Sequence, residues 1–251
     1  MSIFSLCLQD QAVYLPTSAE SEDQVQFIKM LGLEFDLICP YNPIREAKRL
    51  PSIRARRMSR GTRLACEAAL CIASQYAIDA WIFASQYGET SRGIKILESL
   101  MANDMVSPTD FMMSVHNAAS GMFTIENHFH GSVTSLAAGG DTFHMALLEA
   151  AALLGTEMSR VAVVEFDDVV DSQLCAAFNI KPKNLTYATT WVLEKGNGLK
   201  LNIKQQQNQK DSCLPASLQA ISSLAQRGRM FETVGERTIC QWELKCDKVG
   251  V

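Results

Sequence analysis

The sequence lacks any uncharged apolar run of about 18 residues, the length a bilayer-spanning helix needs. Its best candidate is interrupted by Glu67 and Asp79. The apolar start, Met1 to Leu8, has no cationic leader and stops at Gln9 and Asp10, so it reads as a first strand rather than a secretion signal. No C-x-x-C pair occurs among the eight cysteines, Cys7, Cys39, Cys66, Cys71, Cys175, Cys213, Cys240 and Cys246. Without a secretory context they read as reduced thiols that pack as small hydrophobes. Excess positive charge is missing too, since the net charge is −4, which gives no general attraction to nucleic acid or anionic lipid. Histidine is scarce: there are four, and none follows His144. No internal repeat is visible. These absences lead us to expect a cytoplasmic protein with no membrane insertion, no nucleic-acid partner and no cofactor.

What is present suits a compact core. The chain has 251 residues, 47% hydrophobic and 20% charged, enough to bury a substantial interior and too apolar for disorder. Short opening strands are expected at 3–7 and 12–15, a helix over Gln24–Leu33, and irregular chain at 40–60 around Pro43 and Pro51. Helical apolar spacing predicts a buried helix over Thr62–Ala77 and a second helix over Ser91–Met101, with a core strand at Asp79–Ser85 between them. Met112–Phe129 reads as a turn and a helix, Ser132–Ala138 as a strand, and Gly139-Gly140-Asp141 as a sharp turn. Asp141–Leu154 follows as an apolar helix with Asp141 as its N-cap, then a strand at Arg160–Phe166. Alternating strands and helices predict an α/β fold with a mixed, mostly parallel sheet flanked by helices.

The last third changes character. Tyr187–Glu194 and Leu199–Lys204 flank Lys195-Gly196-Asn197-Gly198, a hairpin signal. Gln205–Asp211 is polar, Cys213–Arg227 has helical spacing, and Thr238–Leu244 reads as a final strand. The whole of 1–251 is expected to form a single domain, with 205–251 as a variable C-terminal extension.

Several groups of residues carry candidate chemistry. Arg56, Arg60 and Arg63 recur at helical spacing, forming either a docking face for an acidic protein or a solvated or subunit-contacting face. His128 and His130 lie near Glu126, but zinc takes three or four ligands and the sequence offers no others there, so no metal site is expected. Asp141 and His144 are one helical turn apart and could mimic an acid–base pair, although the cap role already accounts for Asp141. His116 reads as a structural hydrogen-bonding residue. Met105, Met112, Met113 and Met122 crowd one region, either as gap-fillers or as a pocket wall.

One constellation is more telling. Ser107-Pro108 precedes Ser114-Val115-His116-Asn117-Ala118-Ala119-Ser120-Gly121. Gly131 to Gly140 follows, then the helix opened by Asp141 and the strand containing Val161-Ala162-Val163-Val164. This order resembles the β-ketoacyl synthases of the thiolase fold. In that family an Asn-x-x-x-Gly helix leads to a strand ending in the nucleophilic cysteine, which opens a buried helix before the next strand. The Ser-Val-His-Asn-Ala box with the Ala-Gly-Gly-Asp turn is similar to the short ketosynthase-like proteins of aryl polyene gene clusters. Those act as chain-length-factor partners of a full-length ketosynthase. The resemblance runs over roughly residues 40–205.

The resemblance implies a thiolase-like half, equivalent to the N-terminal half of a ketosynthase. Laid without gaps from Gly131 to Val164, it puts the nucleophile position at Gly140, which has no side chain and can form no acyl-enzyme. The paired histidines of the C-terminal half have no counterpart. A catalytically silent subunit is therefore implied, forming a heterodimer with a full-length β-ketoacyl synthase, with acyl carrier protein as an indirect partner. By the same resemblance Ser132, Val133, Thr134, Ser135, Leu136, Ala137 and Ala138 would form the partner interface. Met112, Met113, Met122 and Phe123 would wall an acyl pocket, and Arg56, Arg60 and Arg63 would meet the carrier protein. The rival readings are an acyltransferase or hydrolase using Cys66 or a Ser114/His116 pair, and a plain scaffold for carrier protein.

Overall fold

The structure is a computed structural model that describes residues 2–14, 44–45, 50–170, 175–176, 185–206, 214–226 and 228–245. The helix expected over Gln24–Leu33 lies outside these residues, as do Cys39, Cys213 and Cys246.

The layout follows from β3 (Ala80–Ala84), whose five residues Ala-Trp-Ile-Phe-Ala are all buried. Alternate side chains of a strand point to opposite faces, so this strand feeds two cores. Ala80, Ile82 and Ala84 join one cluster with Phe143, Leu147, Trp191, Leu218 and Trp242. Trp81 and Phe83 join the other, with Leu64, Ala68, Ile72, Ala119 and Phe123. The helices supplying these residues are α2 (Arg60–Ala73) and α5 (Ala118–Asn127) on one face, and α6 (Thr142–Leu154) and α7 (Ala216–Ala225) on the other. The result is three layers, helices over both faces of one sheet. Helix α2 starts at Ser59, whose hydroxyl accepts from Thr62 N at 3.1 Å in the usual N-cap geometry.

The sheet runs β4-β3-β5-β6-β1-β7-β9-β8, with the two-residue β2 (Ile44–Arg45) also paired to β1. Its strands are β1 (Ser2–Tyr14), β4 (Ser132–Leu136), β5 (Arg160–Asp167), β6 (Tyr187–Lys195), β7 (Leu199–Gln205), β8 (Met230–Val234) and β9 (Thr238–Leu244). The mixed sheet expected from the sequence is present. Its parallel part is β4-β3-β5, with β2 on β1. The pairings from β5 through β6, β1, β7 and β9 to β8 are antiparallel, so antiparallel pairs outnumber parallel ones.

Three expectations change. The two short opening strands are one strand of 13 residues, with a register shift between Leu8 and Asp10 where the polar Gln9-Asp10 pair interrupts the pattern. The Tyr187–Lys204 hairpin does not form. Residues 6–14 of β1 pair with β6 and residues 2–6 pair with β7, so a strand long enough to serve both replaces their mutual pairing. Gly196 and Gly198 lie against Cys7, where a Cβ on either would come within 3.2 Å of its sulfur; close approach, rather than turn geometry, calls for glycine there. The hairpin that does form is β8–β9, and its first strand has no counterpart in the sequence-based expectation.

Candidate functional site at the N-terminus of α6

The chain leaves β3, returns as β4 on one side and later as β5 on the other. Such a reversal opens a crevice at the carboxyl ends of parallel strands, where α/β sheets place their sites. Three segments meet there: Ser85–Gly88, Ala137–Asp141 and Asp167–Val170. The buried Asp167 carboxylate accepts from Ser85 Oγ at 2.7 Å and Tyr87 N at 2.9 Å. Burial, helped by the Asp167 charge, pushes the Tyr87 phenol up to about 12. His116 Nε2 donates to the Ser85 carbonyl at 3.1 Å. Ser114 Oγ bonds instead to Phe111 O at 2.8 Å, so Ser114 and His116 form no nucleophile–base pair.

Gly140 stands just before α6, where a side chain would sit at the helix N-terminus. A different part of the chain covers it. The Gly235–Thr238 turn between β8 and β9 lies over this point, and Gly140 N donates to Glu236 Oε2 at 3.2 Å. A Cβ on Gly140 would come 2.8 Å from Glu236 Cβ. Gly139 takes a left-handed φ of +60°, which glycine tolerates without strain.

Asp141 holds the N-cap position but does not cap the helix with its side chain. Its carboxylate reaches across the chain instead. It accepts from Arg237 N and Thr238 N, each at 3.0 Å, and from Thr238 Oγ1 at 2.7 Å. A Cβ on Gly235 would overlap Asp141 Oδ1, so only glycine fits there. The cap expected from local spacing gives way because three hydrogen bonds from the turn outweigh one from the helix's own first turn.

His144 completes the arrangement. It is fully buried, with Nδ1 at 2.7 Å from Thr238 Oγ1 and Nε2 at 2.8 Å from Thr233 Oγ1. Thr238 gives its own proton to the Asp141 carboxylate, so it accepts from Nδ1–H. Nε2 then accepts from the Thr233 hydroxyl, whose oxygen takes the Trp242 Nε1–H at 3.0 Å. Donors and acceptors match along the chain Trp242, Thr233, His144, Thr238, Asp141 for a neutral imidazole with its proton on Nδ1. Burial holds its pKa down at about 4 against a smaller upward pull from Asp141. His144 is fully buried and both its ring nitrogens are taken up by threonine hydroxyls.

A cavity of about 550 Å³ opens beside the turn, floored by Met145, Leu148 and Ile203 and rimmed by Lys204, Glu236 and Arg237. None of the four residues expected to wall an acyl pocket lines it. Phe123 is fully buried, with ring centroids 4.5 Å from Trp81 and 5.4 Å from Phe83. Met113 is buried and Met122 partly buried in the same core, while Met112 on α4 (Pro108–Met112) is 65% exposed. The structure thus separates the four between core and surface.

The remaining candidates fall elsewhere. Arg56, Arg60 and Arg63 are exposed beside and along α2, with Arg63 paired to Glu67 at 3.3 Å. Cys66 is fully buried and its thiol donates to Ala119 O at 3.3 Å; burial pushes that thiol up, away from the thiolate a nucleophile needs. His128 and His130 are exposed, and among the described residues no group of three potential ligands gathers to hold a metal. Ser132 to Leu136 form β4, which ends the sheet, while Ala138 bridges to Gly140 beyond it. Ser135 Oγ meets Ser120 Oγ of α5 at 2.8 Å. No helix among the described residues is long and apolar enough to cross a membrane.

The sequence comparison supplies what geometry alone does not. Residues 38–243 match the family described as β-ketoacyl synthase, N-terminal domain. The chain belongs to that family. Among solved structures, one of the ketosynthase ApeO in complex with its chain length factor ApeC, from Xenorhabdus doucetiae, contains a similar chain. It matches with a TM-score of 0.81 and 28% identity, over 96% of this chain and 99% of that one. The ishigamide ketosynthase/chain length factor matches with a TM-score of 0.50 and 16% identity, over 59% of this chain and 49% of that one, a likeness of fold alone. None of the curated proteins matches significantly. The β-ketoacyl synthase fold is therefore present, thiolase-like, in a chain similar to a member of a ketosynthase/chain-length-factor complex. Reasoning from local sequence missed Thr233, Gly235, Glu236, Thr238 and Trp242 as parts of the site. The available signal was Gly235 set between two short apolar stretches.

Proposed function

We propose that this chain is the non-catalytic chain-length-factor subunit of a β-ketoacyl synthase complex, pairing with an active full-length ketosynthase and shaping its acyl pocket. The product class is an aryl polyene or a related polyketide or fatty-acid-type chain. The observation that carries the reading is the end-to-end match to a chain of a ketosynthase/chain-length-factor complex. Gly140 supports the silent role, because a ketosynthase-like fold with no side chain at that position has no nucleophile there to hold an acyl chain.

The surface supports a partner. Among the described residues β4 is the terminal strand of the sheet, and a sheet edge invites pairing with another chain. Helix α5 lies against it, and the stretch 105–125 exposes Met105 at 95% and Phe111 at 66%, together with Met112, Val115 and Ile125. Several exposed large apolar residues in one stretch of the chain support an interaction site. On this reading Ser132–Ala138 pair across the heterodimer, Met112, Met113, Met122 and Phe123 back the far end of the acyl pocket, and the exposed Arg56, Arg60 and Arg63 face the carrier protein. The rival nucleophile readings gain no observation, with Cys66 buried and Ser114 apart from His116.

The test is co-expression with the full-length ketosynthase followed by size-exclusion chromatography with light scattering. A one-to-one heterodimer is expected. Separate elution of the two chains would remove the proposal.

A further inference from the structure

We infer that the β8–β9 hairpin is a built-in plug over the N-terminus of α6, so that restoring a nucleophile at Gly140 would not by itself restore acylation. This deepens the proposed silent role and rests on it: silence is set twice, once by a missing side chain and once by occupied space.

Glu236 puts its Cβ where a Gly140 side chain would begin, and its Cα and backbone N within 3.5 Å of the same point. The Cβ contact at 2.8 Å is the one that forces a shift, while the backbone contacts at 3.3 and 3.5 Å are tight, so the Glu236 side chain is the main block. The Glu236 carboxylate also takes the Gly140 N–H, an anion at the positive end of a helix dipole. A substrate carbonyl or carboxylate approaching this helix end would compete for the same donor.

The plug is also fastened. Asp141 takes three hydrogen bonds from Arg237 and Thr238, and His144 grips both strands through Thr233 and Thr238. Gly235 is the one residue small enough to let the turn sit this close. Gln219 of α7 adds a second hold on β8, donating to Val234 O at 2.9 Å and accepting from Val234 N at 2.8 Å. A loop merely resting on the surface would need none of these contacts.

Two full-length variants test it: Gly140→Cys, and Gly140→Cys combined with Glu236→Gly. Each is exposed to a short acyl thioester and to iodoacetamide, and modification at position 140 is read by peptide mass spectrometry. The single variant should melt lower than the unsubstituted chain and resist modification. The double variant, without the Cβ overlap, should melt higher than the single one and react about tenfold faster, the worth of the one hydrogen bond lost with Glu236. Equal stability and equal reactivity of the two would overturn the plug. If the single variant does not fold, amide hydrogen exchange on the unsubstituted chain decides. Protection of Gly140, Arg237 and Thr238 comparable to that of β5 supports the plug, and exchange of all three at free-peptide rates overturns it. Co-elution with a ketosynthase reads the subunit role separately, so either idea can fail without the other.

Discussion

His144 and Thr238, 94 positions apart in sequence, meet at 2.7 Å between Nδ1 and Oγ1. Through this contact the C-terminal hairpin is tied to the central helix of the fold. Thr238 donates its own hydrogen to Asp141, so the imidazole carries its proton on Nδ1, and burial keeps the ring neutral.

That neutrality predicts a pH dependence. The pKa of His144 is held at about 4 in the folded chain, against the usual 6.5. With the folded value depressed, the unfolded chain binds the extra proton first as pH falls. Stability from this site is whole above pH 6.5 and is lost as pH drops toward 4, by roughly 3 kcal/mol. Urea unfolding at pH 7 and pH 4.5 should show the loss, and His144→Gln should flatten that part of the profile.

Asp141 should matter for stability more than an ordinary helix cap. Asp141→Ala leaves two backbone N–H groups and a hydroxyl without their charged acceptor, so a cost of about 2–4 kcal/mol is expected. A cap alone is worth about 1 kcal/mol. Chemical denaturation separates the two, and a cost at the lower figure would return Asp141 to a local role.

The contrast between Asp141 and its neighbours shows what the sequence makes legible. Strand β5, helix α6 and strand β9 lie where periodicity places them, because each carries its signal within its own span. The order of motifs from Ser107 to Phe166 is enough to indicate the family. Asp141 was misread because its partners are 96 and 97 positions away, and local spacing carries no trace of them. The Lys195–Gly198 hairpin failed for the same reason: β1, distant in sequence, takes both strands. Strand β8 escaped because only one of its five residues is buried, two being exposed and two half-buried.

The proposed interface predicts which surface changes break the complex. Phe111→Glu and Met112→Glu alter exposed side chains, so the fold should change by no more than about 0.5 kcal/mol. Co-purification with the ketosynthase should fall sharply, as it should for Leu136→Asp at the β4 edge. Wild-type recovery of partner by all three would place the interface elsewhere.

Product length gives a finer test of the pocket reading. Met112→Ala leaves the core intact, and in a reconstituted complex it should shift products toward longer chains at similar yield. A methylene in an apolar pocket is worth about 1–3 kcal/mol, so a shifted distribution is expected rather than a switch. Phe123→Ala should instead destabilise the chain by about 3–5 kcal/mol, because its ring is packed between Trp81 and Phe83. Unchanged product profiles for Met112→Ala, with the heterodimer intact, would favour a scaffold.

The central claim is that this chain condenses nothing by itself and contributes only as a partner. The most direct measurement is condensation of acyl- with malonyl-carrier protein, run with the purified chain alone and with its ketosynthase complex, and read by mass spectrometry of the carrier-bound products. We predict elongated products from the complex and none from the chain alone. Elongation by the isolated chain would contradict the account.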